Sequence, residues 1–136
     1  MERAFVDTSA WFVFANRGAP DHQRVAAVLK RFEHRLVTSS FIFDETVTLC
    51  RYRYGHAIAS RLGEALLTPG VVDLARVTEA DERAAWAFFL ERPDKSYSFT
   101  DCTSFVVMRR LNLRKVVSLD DDFRHEGFET LPGAAT

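Results

Sequence analysis

Short apolar runs alternate along this chain with longer segments in which apolar residues recur every three or four positions. In the longer segments, the spacing of Val25, Leu29 and Phe32 is that of one buried helical stripe. Strands that alternate with helices in this way favour an α/β fold, in which helices cover both faces of a parallel sheet. Buried strands are predicted at 4–6, 36–38, 71–74, 116–119 and, as a weaker signal, 128–130.

Capping signals set the boundaries of two helices. Ser39 or Ser40 is expected to cap a helix that runs to about Tyr54. Ser98, three residues before Asp101, has the pattern of a second cap. The helix that it opens is apolar nearly all round as far as about residue 111. Such a helix is usually central and buried.

Length and composition predict a single folded domain over residues 1–136. The chain is 47% hydrophobic and 27% charged, which excludes a disordered or low-complexity protein. The last four residues, 133–136, are expected to be loose. The N-terminal apolar stretch is interrupted by Asp7 and lacks a cleavage site, so it does not read as a signal peptide. With no apolar run near the ~18 residues of a membrane span, a cytoplasmic protein with no membrane contact is predicted.

The charge balance excludes a strongly basic protein that coats nucleic acid. Eighteen Lys and Arg stand against nineteen Asp and Glu, a net charge of -1. A local contact with nucleic acid at a metal site remains open. The two cysteines are expected to be buried thiols, and the four histidines, which lack metal-binding spacing, to lie at the surface. These residues are Cys50, Cys102, His22, His34, His56 and His125.

Four carboxylates stand in apolar surroundings at positions where a ligand site is expected. Asp7 and Asp120 follow predicted strands, whose carboxyl ends bind ligands in parallel sheets. Asp101 lies in the first turn of the buried helix, where a simple cap is the alternative, and Glu45 lies one turn into its helix. Converging buried carboxylates would repel one another, and a divalent cation relieves that cost. Oxygen ligands of this kind favour Mg²⁺ or Mn²⁺.

Several other chemistries fit less well. The remaining acids considered, at 44, 79, 81, 82 and 121, are expected to be solvated or to cap helices. The chain lacks the glycine-rich and nucleophile motifs of dinucleotide, P-loop and α/β-hydrolase sites. A magnesium-dependent phosphatase with Asp7 as nucleophile would need a second Asp at position 9, where this chain has Ser9. A non-catalytic receiver-like module would need its acid after the third strand, whereas Asp73 lies inside it.

Five segments carry a resemblance to a known family. In order and spacing they resemble the acidic motifs of PIN-domain proteins over nearly the whole chain. The stretch at 97–105 is the most specific, being similar to the third motif of VapC-type toxins of bacterial toxin–antitoxin pairs. The segments are FVDTSAW at 5–11, LVTSS at 36–40, FDET at 43–46, YSFTDCTSF at 97–105 and DDDF at 120–123.

The resemblance implies a PIN fold, a three-layer αβα sandwich with a mostly parallel sheet of four to five strands. It also implies a Mg²⁺- or Mn²⁺-dependent endoribonuclease that acts as a toxin, with one or two ions at the acids. A PIN nuclease of RNA maturation or decay is the alternative. The implied catalytic and metal-binding residues are Asp7, Glu45, Asp101 and Asp120, with Ser9 and Thr100 as polar neighbours.

Two positions depart from the family pattern. The family often has His two residues after its fourth acid, where this chain has Asp122. Asp120 alone or Asp120 together with Asp122 is therefore the predicted fourth ligand. The family usually has Gly at the end of the long buried helix, where this chain has Asn112, a residue that tolerates the same left-handed backbone.

The resemblance also implies partners. These are an RNA substrate, left open among tRNA, rRNA and mRNA, and a cognate VapB-like antitoxin. A homodimer is expected, and a heterotetramer or larger assembly with the antitoxin. The aromatic cluster at 11–14 suggests that an antitoxin helix docks near the first helices. Six arginines are candidate phosphate contacts, with ordinary surface charge as the alternative: Arg51, Arg53, Arg109, Arg110, Arg114 and Arg124.

Overall fold

Five short strands form one all-parallel sheet in the computed structural model, which describes residues 1–133. Of the four residues predicted to be loose, 133–136, the last three lie outside the described residues. The strand order across the sheet is β3-β2-β1-β4-β5. The α/β prediction is thereby confirmed, with all five strands parallel. The strands are β1 Ala4–Val6, β2 Leu36–Ser39, β3 Asp73–Ala75, β4 Lys115–Val117 and β5 Glu129–Leu131.

Seven helices in the described residues flank this sheet. The predicted cap of the third helix is confirmed, since Ser39 accepts a hydrogen bond from the amide of Ile42 at 3.1 Å. No helix within residues 1–133 is long and apolar enough to cross a membrane. The helices are α1 Thr8–Phe14, α2 His22–Arg31, α3 Ser40–Tyr54, α4 His56–Leu67, α5 Glu79–Leu90, α6 Phe99–Arg110 and α7 Asp122–His125.

The core lies where the sheet meets α6. The strands β1 and β2 are buried along their whole length, as expected for a parallel sheet covered on both faces. On α6, Phe105 is fully buried, and its ring centroid lies 5.0 Å from that of Tyr97 and 5.0 Å from that of Phe123. The prediction that this helix is central is therefore confirmed. Asn112, just beyond it, has a φ of 55°, the left-handed conformation expected there.

The strand order creates one point where the direction of the chain across the sheet reverses. From β1 the chain adds β2 and β3 on one side, then crosses to place β4 on the other side of β1. Parallel sheets bind ligands outside the carboxyl ends of the strands at such a point. Val6 and Val117 are in register there, and the amide of Asp7 donates a hydrogen bond to the carbonyl of Val117 at 3.0 Å. Asp7 and Ser118, the residues that follow these two strands, therefore lie side by side at the carboxyl end of the sheet.

Three sequence predictions shift in detail. The third strand is Asp73–Ala75 rather than 71–74, because pairing with β2 selects these residues, while Val72 is buried outside the strand. The fourth and fifth strands likewise differ by one or two residues from the predicted spans. Both cysteines are buried, as expected. Of the histidines, three are exposed, and His22 is half-buried against the ring of Phe14.

Candidate metal centre

Asp7 occupies the start of α1 but does not cap that helix with its side chain. Its carboxylate is buried and instead accepts two hydroxyl hydrogen bonds at Oδ2. One comes from Ser9 Oγ at 3.0 Å and the other from Ser118 Oγ at 3.1 Å. Ser9 thus serves as a polar neighbour of Asp7. The helix that begins here leaves the carboxylate free to point toward the carboxyl ends of the strands.

Ser118 is a site residue that sequence reasoning missed. Besides contacting Asp7, its hydroxyl oxygen accepts a hydrogen bond from the amide of Asp120 at 3.0 Å. The oxygen of Ser9 accepts another from the amide of Leu119 at 3.0 Å. The two serines therefore link the carboxylate of Asp7 by hydrogen bonds to the loop that carries Asp120. The sequence does show a hydroxyl residue, Ser118, directly after β4. Its contact with Asp7 can be predicted only when it is known that β4 pairs with β1.

Asp101 is at once a helix cap and a member of the acidic cluster. Its Oδ2 accepts a hydrogen bond from the amide of Ser98 at 3.0 Å, while its own amide donates to Ser98 Oγ at 3.0 Å. This reciprocal capping box fixes the carboxylate at the start of α6. Its Oδ1 makes no hydrogen bond with any part of the chain that the structure describes. One oxygen is thus left for a cation.

Three carboxylates converge beyond the strand ends. Asp101, Asp120 and Asp122 each place one oxygen so that the three oxygens lie within 4.8 Å of one another. The amide of Asp122 also donates to Asp120 Oδ1 at 3.0 Å, which turns both acids toward the same space. Oxygen atoms bound to one Mg²⁺ lie about 2.0–2.1 Å from it, so this spacing suits a shared cation. The geometry brings Asp122 into the cluster beside Asp120.

The electrostatics of the cluster show a shortage of positive charge. Burial, and then the charge of Asp101, raises the pKa of Asp7 to about 7. Burial, and then Asp120 and Asp122, raises the pKa of Asp101 to about 6. Within residues 1–133, no Lys, Arg or His forms an ion pair with Asp7 or with the three converging acids. Such a donor set fits a divalent cation, which would replace the missing charge.

Glu45 and Thr100 stand apart from the three-acid group. Glu45 is half-buried in the second turn of α3 and is not a member of that group. Its helix is tied to the start of α1, because Thr46 donates a hydrogen bond to Thr8 Oγ1 at 3.4 Å. The carbonyl of Thr100 accepts from the hydroxyls of the next turn, whereas its own hydroxyl contacts no hydrogen-bonding group in the described chain. The roles of both residues stay predictions.

A second set of polar contacts lies behind the cluster, and the sequence did not indicate it. Tyr97, next to the Ser98 cap, donates from its hydroxyl to Glu126 Oε2 at 2.7 Å. Glu126 follows α7 and also lies 3.4 Å from Arg92 Nε and 3.5 Å from an Arg109 nitrogen. This half-buried contact joins the start of α6, where Asp101 lies, to the end of α7, which begins at Asp122.

Several charged residues are occupied elsewhere. Asp81 caps α5 and pairs with Arg110 through contacts of 2.9 and 2.8 Å, so it lies outside the cluster as expected. Among the candidate phosphate contacts, Arg110 is thus engaged, as are Arg109, with Glu126, and Arg124, with Asp121. The remaining three form no ion pair with residues 1–133: Arg51, Arg53 and Arg114.

The family model of the PIN domain matches residues 4–129 of this chain. The chain belongs to the PIN-domain family. The resemblance identified from the acidic motifs is therefore confirmed. Among curated relatives of this PIN domain, the 23S rRNA-specific endonuclease VapC20 of Mycobacterium tuberculosis is 34% identical over 124 residues, which are 91% of this chain and 94% of the relative. A VapC ribonuclease of Archaeoglobus fulgidus is 33% identical over 125 residues, 88% and 78% of the two chains.

Solved structures agree with this assignment. The crystal structure of Mycobacterium tuberculosis VapC20, described as a sarcin-ricin loop cleaving toxin, superposes with a TM-score of 0.87 at 33% identity, covering 92% of this chain and 95% of that one. The DNA-bound VapBC of Salmonella typhimurium gives a TM-score of 0.72 at 11% identity, covering 96% and 97%. The second likeness concerns the fold. Both curated relatives that match most of this chain are named as VapC nucleases.

Proposed function

We propose that this PIN domain is a divalent-cation-dependent endoribonuclease that acts as the toxin of a toxin–antitoxin pair. The observation that carries the proposal is the acidic cluster at the switch point of the sheet. Asp7 is buried, Asp101, Asp120 and Asp122 are half-buried, and no cationic side chain within residues 1–133 forms an ion pair with them. Its likeness to VapC20 over almost the whole chain supports the same reaction class. An enzyme that acts on RNA inside the cell fits the predicted cytoplasmic location.

We assign the cation to Asp7, Asp101, Asp120 and Asp122. Bound there, Mg²⁺ or Mn²⁺ lowers the pKa of a water and offsets the negative charge of the phosphate. The two serines hold the Asp7 carboxylate by its Oδ2, and the capping box holds Asp101 by its Oδ2. Both acids are thereby fixed before substrate arrives, which removes the need to order them during the reaction.

Glu45 is the residue that we assign to orienting the attacking water. It lies on α3, outside the three-acid group, so its carboxylate is not required to complete that group. A base needs a carboxylate that is free to accept a proton from water. Asp101, whose pKa is raised to about 6, is the alternative for this role.

Ribosomal RNA is the first substrate class to test. The relative with the highest identity given above is named for cleavage of 23S rRNA, and this chain spans 94% of that relative. A role in RNA maturation or decay would use the same acids on another RNA. The aspartyl phosphatase is disfavoured because Ser9, at the position where a second Asp is needed, instead donates a hydrogen bond to Asp7.

The antitoxin is proposed to dock in a groove of about 840 Å³ between the α1–α2 segment and α4. Of the aromatic cluster at 11–14, Trp11 is buried, whereas Phe14 is 38% exposed and lines this groove. Ile58 and Leu62 also contribute apolar surface. Arg17 and Arg61 supply positive charge at the same groove, which suits an amphipathic helix with acidic residues. The homodimer stays a prediction.

The groove is tested by measuring antitoxin affinity. Replacing Phe14 with Glu is expected to weaken binding by tenfold or more, about 1.4 kcal/mol, because it buries a charge against apolar side chains. Tyr52→Glu is the matched control, since Tyr52 is 83% exposed and does not line the groove. Equal affinity of the wild type and the Phe14 variant would refute this docking site.

The nuclease is tested on purified ribosomes and on total RNA, with Mg²⁺ or Mn²⁺ and then with EDTA. Discrete cuts are expected from the wild type with metal, and none from Asp7→Asn, whose amide keeps the shape but loses the charge. Asp44→Asn is the control, because Asp44 is exposed on the same helix as Glu45. Cuts that persist in the Asp7 variant or in EDTA would contradict the proposed site.

A further inference from the structure

A groove of about 260 Å³ lies between α3 and α4, outside the acidic cluster. Tyr52 lines it and is 83% exposed, which makes it the most exposed Phe, Trp or Tyr within residues 1–133. The groove is distinct from the proposed antitoxin groove and shares no lining residue with it. We call it the α3–α4 groove, and its main lining residues are Thr48, Arg51, Tyr52, His56, Ala59 and Ser60.

The α3–α4 groove is basic in a protein whose net charge is -1. Residues 46–63, which run from α3 through the turn into α4, include three arginines and no Asp or Glu. Two of these arginines, Arg51 and Arg53, stand on either side of Tyr52 in the sequence. Neither forms an ion pair in the part of the chain that the structure describes. The Arg53 guanidinium lies 5.7 Å from the centre of the Phe12 ring, a contact that does not use its N–H groups.

One face of α3 leads from the acidic site to the α3–α4 groove. Glu45, Thr48 and Tyr52 are spaced by three and four positions, so they lie along one stripe of the helix. The seven residues from Glu45 to Tyr52 correspond to about 10 Å along the helix axis. Successive nucleotides of a stacked strand rise about 3.4 Å, so this distance equals roughly three nucleotides. A strand whose reacting phosphate lies near Glu45 can therefore reach Tyr52 by following α3.

The chemistry of the α3–α4 groove favours single-stranded RNA over a protein as its occupant. The cores of protein interfaces are depleted in charge and enriched in large apolar side chains. Here Tyr52 is the only lining residue that is a large exposed hydrophobic. An exposed ring on which a base can stack, together with cations for the phosphates, is the combination with which proteins hold single strands.

Another exposed ring, on α5, has the opposite surroundings. Trp86 is 54% exposed. Glu82 and Glu79 precede Trp86 by four and seven positions and therefore share its face of the helix. Glu91 directly follows the last residue of α5. A phosphate backbone would meet excess negative charge at Trp86, whereas at Tyr52 it meets arginines.

We propose that the α3–α4 groove is a subsite for single-stranded RNA in which Tyr52 stacks on a nucleobase roughly three nucleotides from the cleaved bond. Arg51 and Arg53 contact the phosphates next to that base. The stack accepts any base, because every base has a π-face. The position of the subsite relative to the cleaved bond rests on the proposed nuclease function, whereas RNA binding in the groove does not.

The first test is the affinity for a short single-stranded RNA of mixed sequence, measured by fluorescence anisotropy in EDTA so that no strand is cut. Tyr52→Ala is expected to weaken binding about tenfold, because it loses one stacked base. Tyr52→Phe keeps the ring and is expected to bind like the wild type. Trp86→Ala is the matched control and is expected to have no effect. Wild-type affinity in Tyr52→Ala, equal losses in both Tyr52 variants, or no binding by the wild type overturns the proposal.

The salt dependence of the same binding tests the two arginines. Each phosphate contact with a single strand contributes about 0.7 to the slope of log affinity against log salt concentration. Arg51→Gln and Arg53→Gln are therefore each expected to reduce the magnitude of that slope by about 0.7. Arg83→Gln is the control of equal charge, since Arg83 is exposed on α5 and paired with Glu79. A slope unchanged in the Arg51 and Arg53 variants overturns the phosphate contacts.

Cleavage and antitoxin binding separate this subsite from the proposed function. Tyr52→Ala is expected to raise KM about tenfold with kcat nearly unchanged, because it removes a contact made equally in the bound and transition states. Its antitoxin affinity should remain that of the wild type. A loss of antitoxin affinity with RNA affinity unchanged would make the groove a protein contact and overturn the proposal. A wild type that loses RNA affinity on Tyr52→Ala in EDTA, yet cuts no RNA with Mg²⁺, would refute the nuclease and support the subsite.

Discussion

The starts of α5 and α6 are built alike but have opposite electrostatics. Each begins with a capping box, Thr78 with Asp81 in α5 and Ser98 with Asp101 in α6. Burial alone would raise the pKa of Asp81, but the contacts from Arg110 hold that pKa below its usual value. Asp101 has no such cation, and its pKa is raised to about 6. The capping box fixes the position of the carboxylate at the start of the helix. The surrounding charges determine whether that carboxylate forms an ion pair within the protein or is left able to bind a cation.

The largest expected difference between the two caps is in catalysis. Asp101→Asn is expected to lower RNA cleavage by about a hundredfold or more, since it removes a charged ligand from the cluster. Asp81→Asn leaves the cluster intact and is expected to retain the wild-type rate per folded molecule. Single-turnover cleavage with saturating metal measures both. Equal losses in the two variants would mean that the acidic cluster has no special role.

The two substitutions are expected to change stability in opposite directions. Asp81→Asn breaks a charged pair whose Arg110 is partly exposed, and we expect a loss of about 1–3 kcal/mol. Asp101→Asn relieves repulsion among carboxylates in the metal-free protein, so its free energy of unfolding at pH 8 should not fall. Urea unfolding in EDTA provides both values. A strong destabilisation by Asp101→Asn in EDTA would show that its cap outweighs the repulsion.

The pH dependence of stability follows from the same contrast. An unfolded Asp has a pKa near 3.9, whereas Asp7 and Asp101 have pKa values of about 7 and about 6 in the fold. The folded state therefore binds more protons between about pH 4 and 7, and the metal-free protein loses stability as the pH rises through that window. Thermal unfolding in EDTA is expected to show this decline. Asp7→Asn is expected to make the thermal midpoint depend less steeply on pH. An unchanged pH dependence in that variant would contradict the raised pKa of Asp7.

The smallest expected effect comes from the contact behind the cluster. Tyr97→Phe removes the hydroxyl that donates to Glu126 and so loosens the link between the start of α6 and the end of α7. Residues that orient metal ligands typically change metal affinity by 10–100-fold, and we expect the lower end for this single hydroxyl. Raising the Mn²⁺ concentration should restore the cleavage rate. A loss that excess metal does not repair would assign Tyr97 another role.

Local signals in the sequence predicted much of this molecule. The cap of α3, predicted as Ser39 or Ser40, the cap at Ser98 and the left-handed residue Asn112 each depend on side chains a few positions apart, so local sequence is enough to predict them. The same holds for the acids after β1 and β4, since a strand that ends in a carboxylate is visible in the sequence. Their assembly follows once parallel pairing is assumed.

Contacts between distant segments could not be predicted. Arg110 neutralises Asp81 from 29 residues away, and Ser118 reaches Asp7 across 111 residues. Both contacts depend on which helices and strands are neighbours in the fold, and the local sequence around each residue does not determine this. For the same reason, exposure of Trp86 could not be read from α5, whose other face carries the buried Phe88.

The most direct test of the account is calorimetric titration of the metal-free protein with Mn²⁺ at pH 7.5. Binding is expected in the wild type, with a fractional proton release that comes mainly from Asp7, because its pKa of about 7 leaves that carboxyl partly protonated at this pH. Asp81→Asn should bind with the same affinity, and Asp101→Asn should bind at least about tenfold more weakly. Equal affinity in the wild type and the Asp101 variant, or no binding in the wild type, would contradict the claim that the unneutralised acids form a metal centre.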